Sequence, residues 1–185
     1  MSKQVNNAAF NNKAYNPGAS KVKMMLWYFT NALFFNNPLN PFNGLKIKLL
    51  KIFGAKIGVN LVLKPKVNIK YPWNLEIGNN VWIGESVWLD SLNKITIDDN
   101  VCISQGAFLL CGSHDYKKSS FDLITKPIYL EEGTWICAKA IVCPGVRCKS
   151  HSVLSLGSIA TQDLEKYTIY RGNPAKPVRD RIIKD

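Results

Sequence analysis

Ile77-Gly78-Asn79-Asn80-Val81-Trp82-Ile83-Gly84-Glu85-Ser86-Val87-Trp88-Leu89 places an aliphatic residue at every sixth position, with glycine directly after the first two. The same clock runs outward in both directions. Upstream it marks Ile57, Leu63 and Ile69; downstream it marks Ile97, Ile103 and Leu109, then Leu130, Ile136, Val142, Cys148 and Leu154. Four residues after most of these stands a small or β-branched residue: Val67, Val81, Val87, Val101, Ala107, Thr134, Ala140, Val146, Ser152 or Ser158. A helical period of 3.6 cannot sustain this pattern, and simple strand alternation does not single out every sixth residue. Short strands joined by tight turns do both. Three such strands make one coil, and coils stack at the strand spacing of about 4.8 Å. Residues 57–74 and 77–94 are each such a coil, separated by the two-residue insertion Leu75-Glu76, and Ile95-Thr96 is a second insertion of that size. The aliphatics then form ladders along a prism, a core that no single repeat could bury alone. Chance spacing of common aliphatics is the competing explanation, and the length of the series counts against it.

Apart from the two short insertions, the rhythm breaks once. Leu130 follows Leu109 by 21 positions, which is not a multiple of six. The interruption starts Leu110-Cys111-Gly112-Ser113-His114-Asp115-Tyr116 and continues through a polar stretch to Pro127. A loop expelled from a regular solenoid is where function is usually placed.

Composition narrows the chemistry. The chain has 185 residues and a net charge of +11, a length that suits one domain. Residues 1–75 hold eleven lysines and no acid, and the first carboxylate is Glu76. From Glu76 onward, thirteen basic residues balance thirteen acidic ones. The excess charge therefore belongs to one end, which argues against a uniformly basic nucleic-acid-coating protein and for an anionic partner met by that end. Two histidines, His114 and His151, cannot build a three-histidine zinc site, and no metal is expected. Five cysteines without a C-x-x-C pair read as reduced thiols, and an Asn-rich start without an apolar stretch is not a signal peptide. These features imply a cytoplasmic protein. The apolar run Val22–Phe35 has 14 residues, against the roughly 20 that span a bilayer.

Repeats, loop and ending together resemble the hexapeptide-repeat acetyltransferases, and among them the acetyltransferases assigned to colanic acid biosynthesis. The residues that carry the likeness are Phe53-Gly54-Ala55-Lys56-Ile57-Gly58, Gly112-Ser113-His114-Asp115-Tyr116, Trp135-Ile136 with Pro144-Gly145-Val146, and Tyr170-Arg171-Gly172-Asn173-Pro174-Ala175-Lys176. The resemblance implies a mainly β, left-handed parallel β-helix over 57–162 with an expelled loop at 110–129. It also implies acetyl transfer from acetyl-CoA to the hydroxyl of a sugar in an exopolysaccharide precursor. A homotrimer with each site between neighbouring prisms goes with it.

A sugar hydroxyl needs a base at neutral pH, and imidazole titrates close to that range. His114 matches the family's catalytic histidine. Asp115 is either a partner for a sugar hydroxyl or a cap for the loop, and Gln105 is a second substrate-binding candidate. Cys111, three residues before His114, opens a covalent acyl-cysteine alternative. By family position, Trp135 and Ala138 line the pantetheine arm, the backbone of Leu156 approaches the cofactor, and Lys176 and Arg179 meet its phosphates. Cys137, Leu156 and Gln162 depart from the usual family residues. The alternatives to a sugar hydroxyl are another small acceptor (an amino sugar or a xenobiotic) and a non-catalytic β-helix scaffold. A nucleotidyltransferase would need a nucleotide-binding domain that 56 residues cannot supply.

The two ends complete the reading. Residues 1–20 predict a mobile arm. Val22–Phe35 and Leu45–Phe53 predict two helices, the second with Leu45, Leu49, Ile52 and Phe53 on one face and stopped by Gly54. They can cap the open first coil, and their lysines and aromatics also suit an anionic membrane surface. Residues 163–185 are expected to end in a short helix from Pro174 to Lys184.

Overall fold

The computed structural model describes residues 4–184. Short strands of two to three residues build a triangular prism with three parallel faces. The first face stacks Lys56–Ile57, Leu75–Ile77, Ile95–Ile97, Ile128–Leu130 and Arg147–Cys148. The second stacks Val62–Leu63, Trp82–Ile83, Cys102–Ile103, Trp135–Ile136 and Val153–Leu154. The third stacks Asn68–Ile69, Trp88–Asp90, Phe108–Leu110, Ile141–Val142 and Ile159–Ala160.

The register joins the residues of the six-residue clock. Ile57, Ile77, Ile97, Leu130 and Cys148 are successive partners on the first face. Leu63, Ile83, Ile103, Ile136 and Leu154 are partners on the second, and Ile69, Leu89, Leu109 and Val142 on the third. All but the half-buried Ile57 are fully inside, and so are the small residues between them. The two-residue insertions do not bulge out. Leu75, Ile95 and Ile128 pair in register as a further buried column, so the insertions widen the first face.

The tight corners explain two sequence habits. Asn60, Asn80 and Asn100 all take φ near +60°, a region asparagine tolerates better than most residues. Their amides link along the axis, Asn60 to Asn80 at 2.9 Å and Asn80 to Asn100 at 3.3 Å. Glycine after an interior aliphatic makes room for the next coil: a Cβ on Gly84 would lie 2.6 Å from the backbone nitrogen of Gln105.

A solenoid leaves its first coil with unpaired backbone groups, which side chains of two helices cover. Helix α1 (Lys21–Thr30) runs on into a π-helical turn over Asn31–Phe35. Its Trp27 Nε1 donates to Ile69 O at 2.9 Å, and Asn31 Oδ1 accepts from Ile69 N at 3.3 Å. Helix α2 (Asn43–Ile52) covers the second face. Asn43 donates to Leu61 O at 2.7 Å and accepts from Leu63 N at 2.8 Å. Lys46 is fully buried, and its Nζ donates to Leu63 O at 3.0 Å and Lys64 O at 3.3 Å. The buried face of α2 is therefore Lys46 and Leu50, while Leu45 and Ile52 are exposed. The all-apolar face read from the sequence is displaced because the open edge demands a donor more than it demands hydrocarbon. Gly54, at φ +101°, ends the helix as expected.

Two other expectations are corrected. The arm is laid against the prism: Tyr15 Oη donates to Leu92 O at 2.7 Å, Trp73 Nε1 donates to Pro17 O at 2.6 Å, and Asn6 N donates to Ser119 O at 2.8 Å. The end of the chain is not helical. Thr168–Gly172 pairs with Val153–Leu154, and Ala175–Asp180 folds back on it antiparallel. The free edge of the last coil recruits these residues, and Pro177 is tolerated because its strand is the outermost of the sheet.

Gly84→Ala is expected to destabilise the protein by about 1–3 kcal/mol, as overpacking of a close backbone contact does. A thermal melt showing an unchanged midpoint would contradict the close stacking.

Candidate active site

The expelled loop leaves the third face after Leu110. Gly112–His114 pairs antiparallel with Leu123–Thr125, placing His114 opposite Leu123. The His114 ring lies flat on Phe121, with centroids 4.4 Å apart and planes 6° apart. Phe10 of the arm lies tilted against the same ring, with centroids 5.8 Å apart. Nδ1 is 2.8 Å from Phe121 O. A carbonyl oxygen only accepts, so Nδ1 carries the proton and the lone pair of the neutral ring sits on Nε2. The loop thus holds an oriented imidazole with its tautomer selected by the backbone.

Asp115 sits beside it in a different role. Its Oδ1 accepts from Lys117 N at 3.1 Å, and its own N–H donates to Asp122 O at 2.8 Å. These two contacts fit a loop cap and leave Oδ2 for a sugar hydroxyl. His151, the other histidine, is half-buried and stacks on Tyr167 at 4.7 Å.

Behind the loop lies a buried carboxylate that the sequence reading missed. Asp90 is almost fully buried, and burial pushes its carboxyl above the usual range although the Gly112 N–H and Lys70 oppose this. The signal available was an acid directly after interior Leu89, where the third face ends. Cys111 is fully buried, and burial pushes its thiol up to about 12. Attack requires the thiolate, and burial disfavours it, which counts against the acyl-cysteine alternative.

A second cluster forms on the second face. Trp135 is half-exposed, and its Nε1 donates to Ser104 Oγ at 2.9 Å. Ala138 O accepts from Gly157 N at 3.0 Å, tying this turn to the next coil. Leu156 turns its side chain to solvent, 70% exposed, while its backbone N–H reaches the Cys137 sulfur. Burial, reinforced by Cys102, pushes the Cys137 thiol up to about 11. Gln105 is exposed at the corner between the second and third faces.

The C-terminal strand pair adds cations. Arg171 is opposite Lys176 and Ile169 is opposite Arg179, with a register shift between the two pairs. Residues opposite one another share a side of the sheet, so the shift aligns Arg171, Lys176 and Arg179 on one side. All three are exposed. Arg171 was not assigned a site role from sequence, because its place beside the other two depends on the strand pairing.

His114 and the Trp135 cluster do not meet within one chain. His114 stands at the corner between the third and first faces, and the third face separates it from Gln105, Ala138 and Leu156. One face spans about 15–20 Å of extended chain, and proton transfer requires about 3 Å.

A hexapeptide coil with one expelled histidine loop and a basic closing strand defines an acetyltransferase of the hexapeptide-repeat class. No protein-family profile matches the chain. WcaF of Escherichia coli K12, assigned as a colanic acid biosynthesis acetyltransferase, is 36% identical over 165 residues, covering 89% of this chain and 91% of that protein. The chain therefore belongs to this family of acetyltransferases. The galactoside O-acetyltransferase of E. coli K12 is 27% identical over 140 residues, covering 74% of this chain and 69% of the other. The fold matches the hexapeptide-repeat acetyltransferase VCA0836 of Vibrio cholerae, solved with acetyl coenzyme A, at TM-score 0.79 and 21% identity over 91% of this chain and 93% of that one.

Cys111→Ser is expected to leave acetyl transfer unchanged, measured as thiol release. Loss of turnover in a normally folded Cys111→Ser protein would restore the covalent route.

Proposed function

We propose that this chain transfers the acetyl group of acetyl-CoA to a sugar hydroxyl of an exopolysaccharide precursor, with His114 as general base. The observation that carries the reading is the 2.8 Å contact from His114 Nδ1 to Phe121 O, which leaves Nε2 free to take a proton. In the proposed step the acceptor hydroxyl gives its proton to Nε2 as its oxygen attacks the thioester carbonyl. The carbon–sulfur bond then breaks, and the imidazolium returns the proton to the departing thiolate. No covalent enzyme intermediate forms. The residues on the second face fit the donor: Arg171, Lys176 and Arg179 offer charge-assisted hydrogen bonds to its phosphates, and Trp135 and Ala138 offer an apolar wall to its pantetheine arm. The sugar acceptor is supported by the functions of the relatives, one assigned to colanic acid biosynthesis and one acting on galactosides.

The complete site in this reading belongs to two copies. One chain supplies His114 and its neighbour supplies the donor-binding face, in a homotrimer. The support is the separation of the two clusters by a whole face of the prism. In this reading Gln105, and Asp115 through its remaining carboxylate oxygen, meet the acceptor.

His114→Ala is expected to lower kcat by about 10²–10⁴ while binding of acetyl-CoA is retained, measured by thiol release and calorimetry. Unchanged turnover would remove His114 from the mechanism. Arg179→Ala is expected to raise KM for the donor on the order of tenfold. Co-refolding His114→Ala with an Arg171→Ala/Arg179→Ala protein is expected to restore turnover above either alone. A site contained in one chain would show no such recovery. A panel of sugars, amino sugars and xenobiotic acceptors distinguishes the acceptor classes.

A further inference from the structure

Helix α1 has two apolar faces. Trp27 and Asn31 look onto the first coil, and the side chains at the opposite helical positions look away from the prism. There Val22, Met25, Leu26 and Phe29, continued by Leu33, recur at i, i+3, i+4, i+7 and i+11. They are 61%, 56%, 54%, 56% and 61% exposed. Leu39, Phe42 and Ile52 add exposed apolar side chains on the same cap. Soluble monomers rarely leave so much contiguous hydrocarbon in water without a partner for it.

Charge identifies the partner. Lys21, Lys48 and Lys51 on the two cap helices are exposed, and no carboxylate precedes Glu76 in the chain. A second copy docked cap to cap would bring lysines against lysines. A nucleic acid would answer the charge but leave the apolar stripe in water. A bilayer with acidic headgroups answers both at once, with hydrocarbon below and phosphate around it. The geometry points to the N-terminal cap as a docking surface for an anionic lipid bilayer. The stripe lies in the interface plane, since no helix among the described residues is long and apolar enough to cross a membrane. Insertion depth is that of an interfacial helix, about 5–10 Å, enough for Leu26 and Phe29 and too little to reach the β-helix. This assignment stands apart from the acetyl-transfer reading and does not rest on it.

The test is flotation of the full chain with phosphatidylcholine vesicles made with and without phosphatidylglycerol. Binding is expected only to the anionic vesicles and is expected to weaken with added salt. Lys48→Gln and Lys51→Gln are expected to weaken it about fivefold each. Leu26→Glu/Phe29→Glu is expected to abolish it while the thermal midpoint and the thiol-release activity on a soluble acceptor stay unchanged. Equal binding to neutral vesicles, or normal binding by the Leu26→Glu/Phe29→Glu protein, would overturn the proposal. So would a change in oligomer mass of that variant by light scattering, which would give the stripe to a second copy.

Discussion

Each coil of this protein is held by the backbone hydrogen bonds it makes to the coil before and the coil after. Those bonds run along one axis, and at each of the two ends one neighbouring coil is missing. The end structures follow from that constraint. At the start, Trp27, Asn31, Asn43 and Lys46 supply donors and acceptors that a preceding coil would have supplied. At the finish, the edge of Val153–Leu154 takes up Thr168–Gly172, and Ala175–Asp180 folds onto that. Neither end is closed by hydrocarbon alone, because an unpaired backbone group costs more to bury than an apolar surface gains.

The same axis decides what was readable in advance. Interior positions repeat, so Ile77, Ile83 and Leu89 and their partners announce themselves and fix the three faces. Loop and histidine are legible as the one long break in that repetition. Features that depend on a unique neighbour were not legible. Lys46 looks like a surface lysine until an open strand edge lies beneath it. Arg171 joins Lys176 and Arg179 only through the register shift of an antiparallel pair that replaces the expected helix. Asp90 is an ordinary acid until the root of the loop buries it. The Asn-rich arm carries no apolar pattern, and its anchoring by Tyr15 and Pro17 could not be read from composition.

Seen along the prism, the basic residues separate into two populations with different neighbours. Late arginines sit among acids: Arg147 pairs with Glu131 at 2.9 Å, and Lys149 pairs with Glu165 at 2.7 Å. Among the described residues no ion pair reaches Arg171, Lys176 or Arg179 on the closing strands. Early lysines have few acids within reach, with Lys56 paired to Glu76 and Lys66 to Glu85. The net excess thus lies in the cap and first coil, where no acid precedes Glu76, while the closing strands carry a short basic row within a region of balanced charge.

One property of the loop concerns chain entropy rather than chemistry. Successive partners on the first face are twenty residues apart from Ile77 to Ile97, and thirty-three apart from Ile97 to Leu130. Closing the longer circuit adds only about 0.5 kcal/mol, because loop entropy grows with the logarithm of length. An excursion large enough to hold His114 and a two-stranded hairpin therefore leaves the prism almost as stable as an uninterrupted one. The coil imposes one condition, that the chain returns in register at Ile128. Between departure and return the loop is free to vary in length and content, and the surrounding fold barely registers the difference.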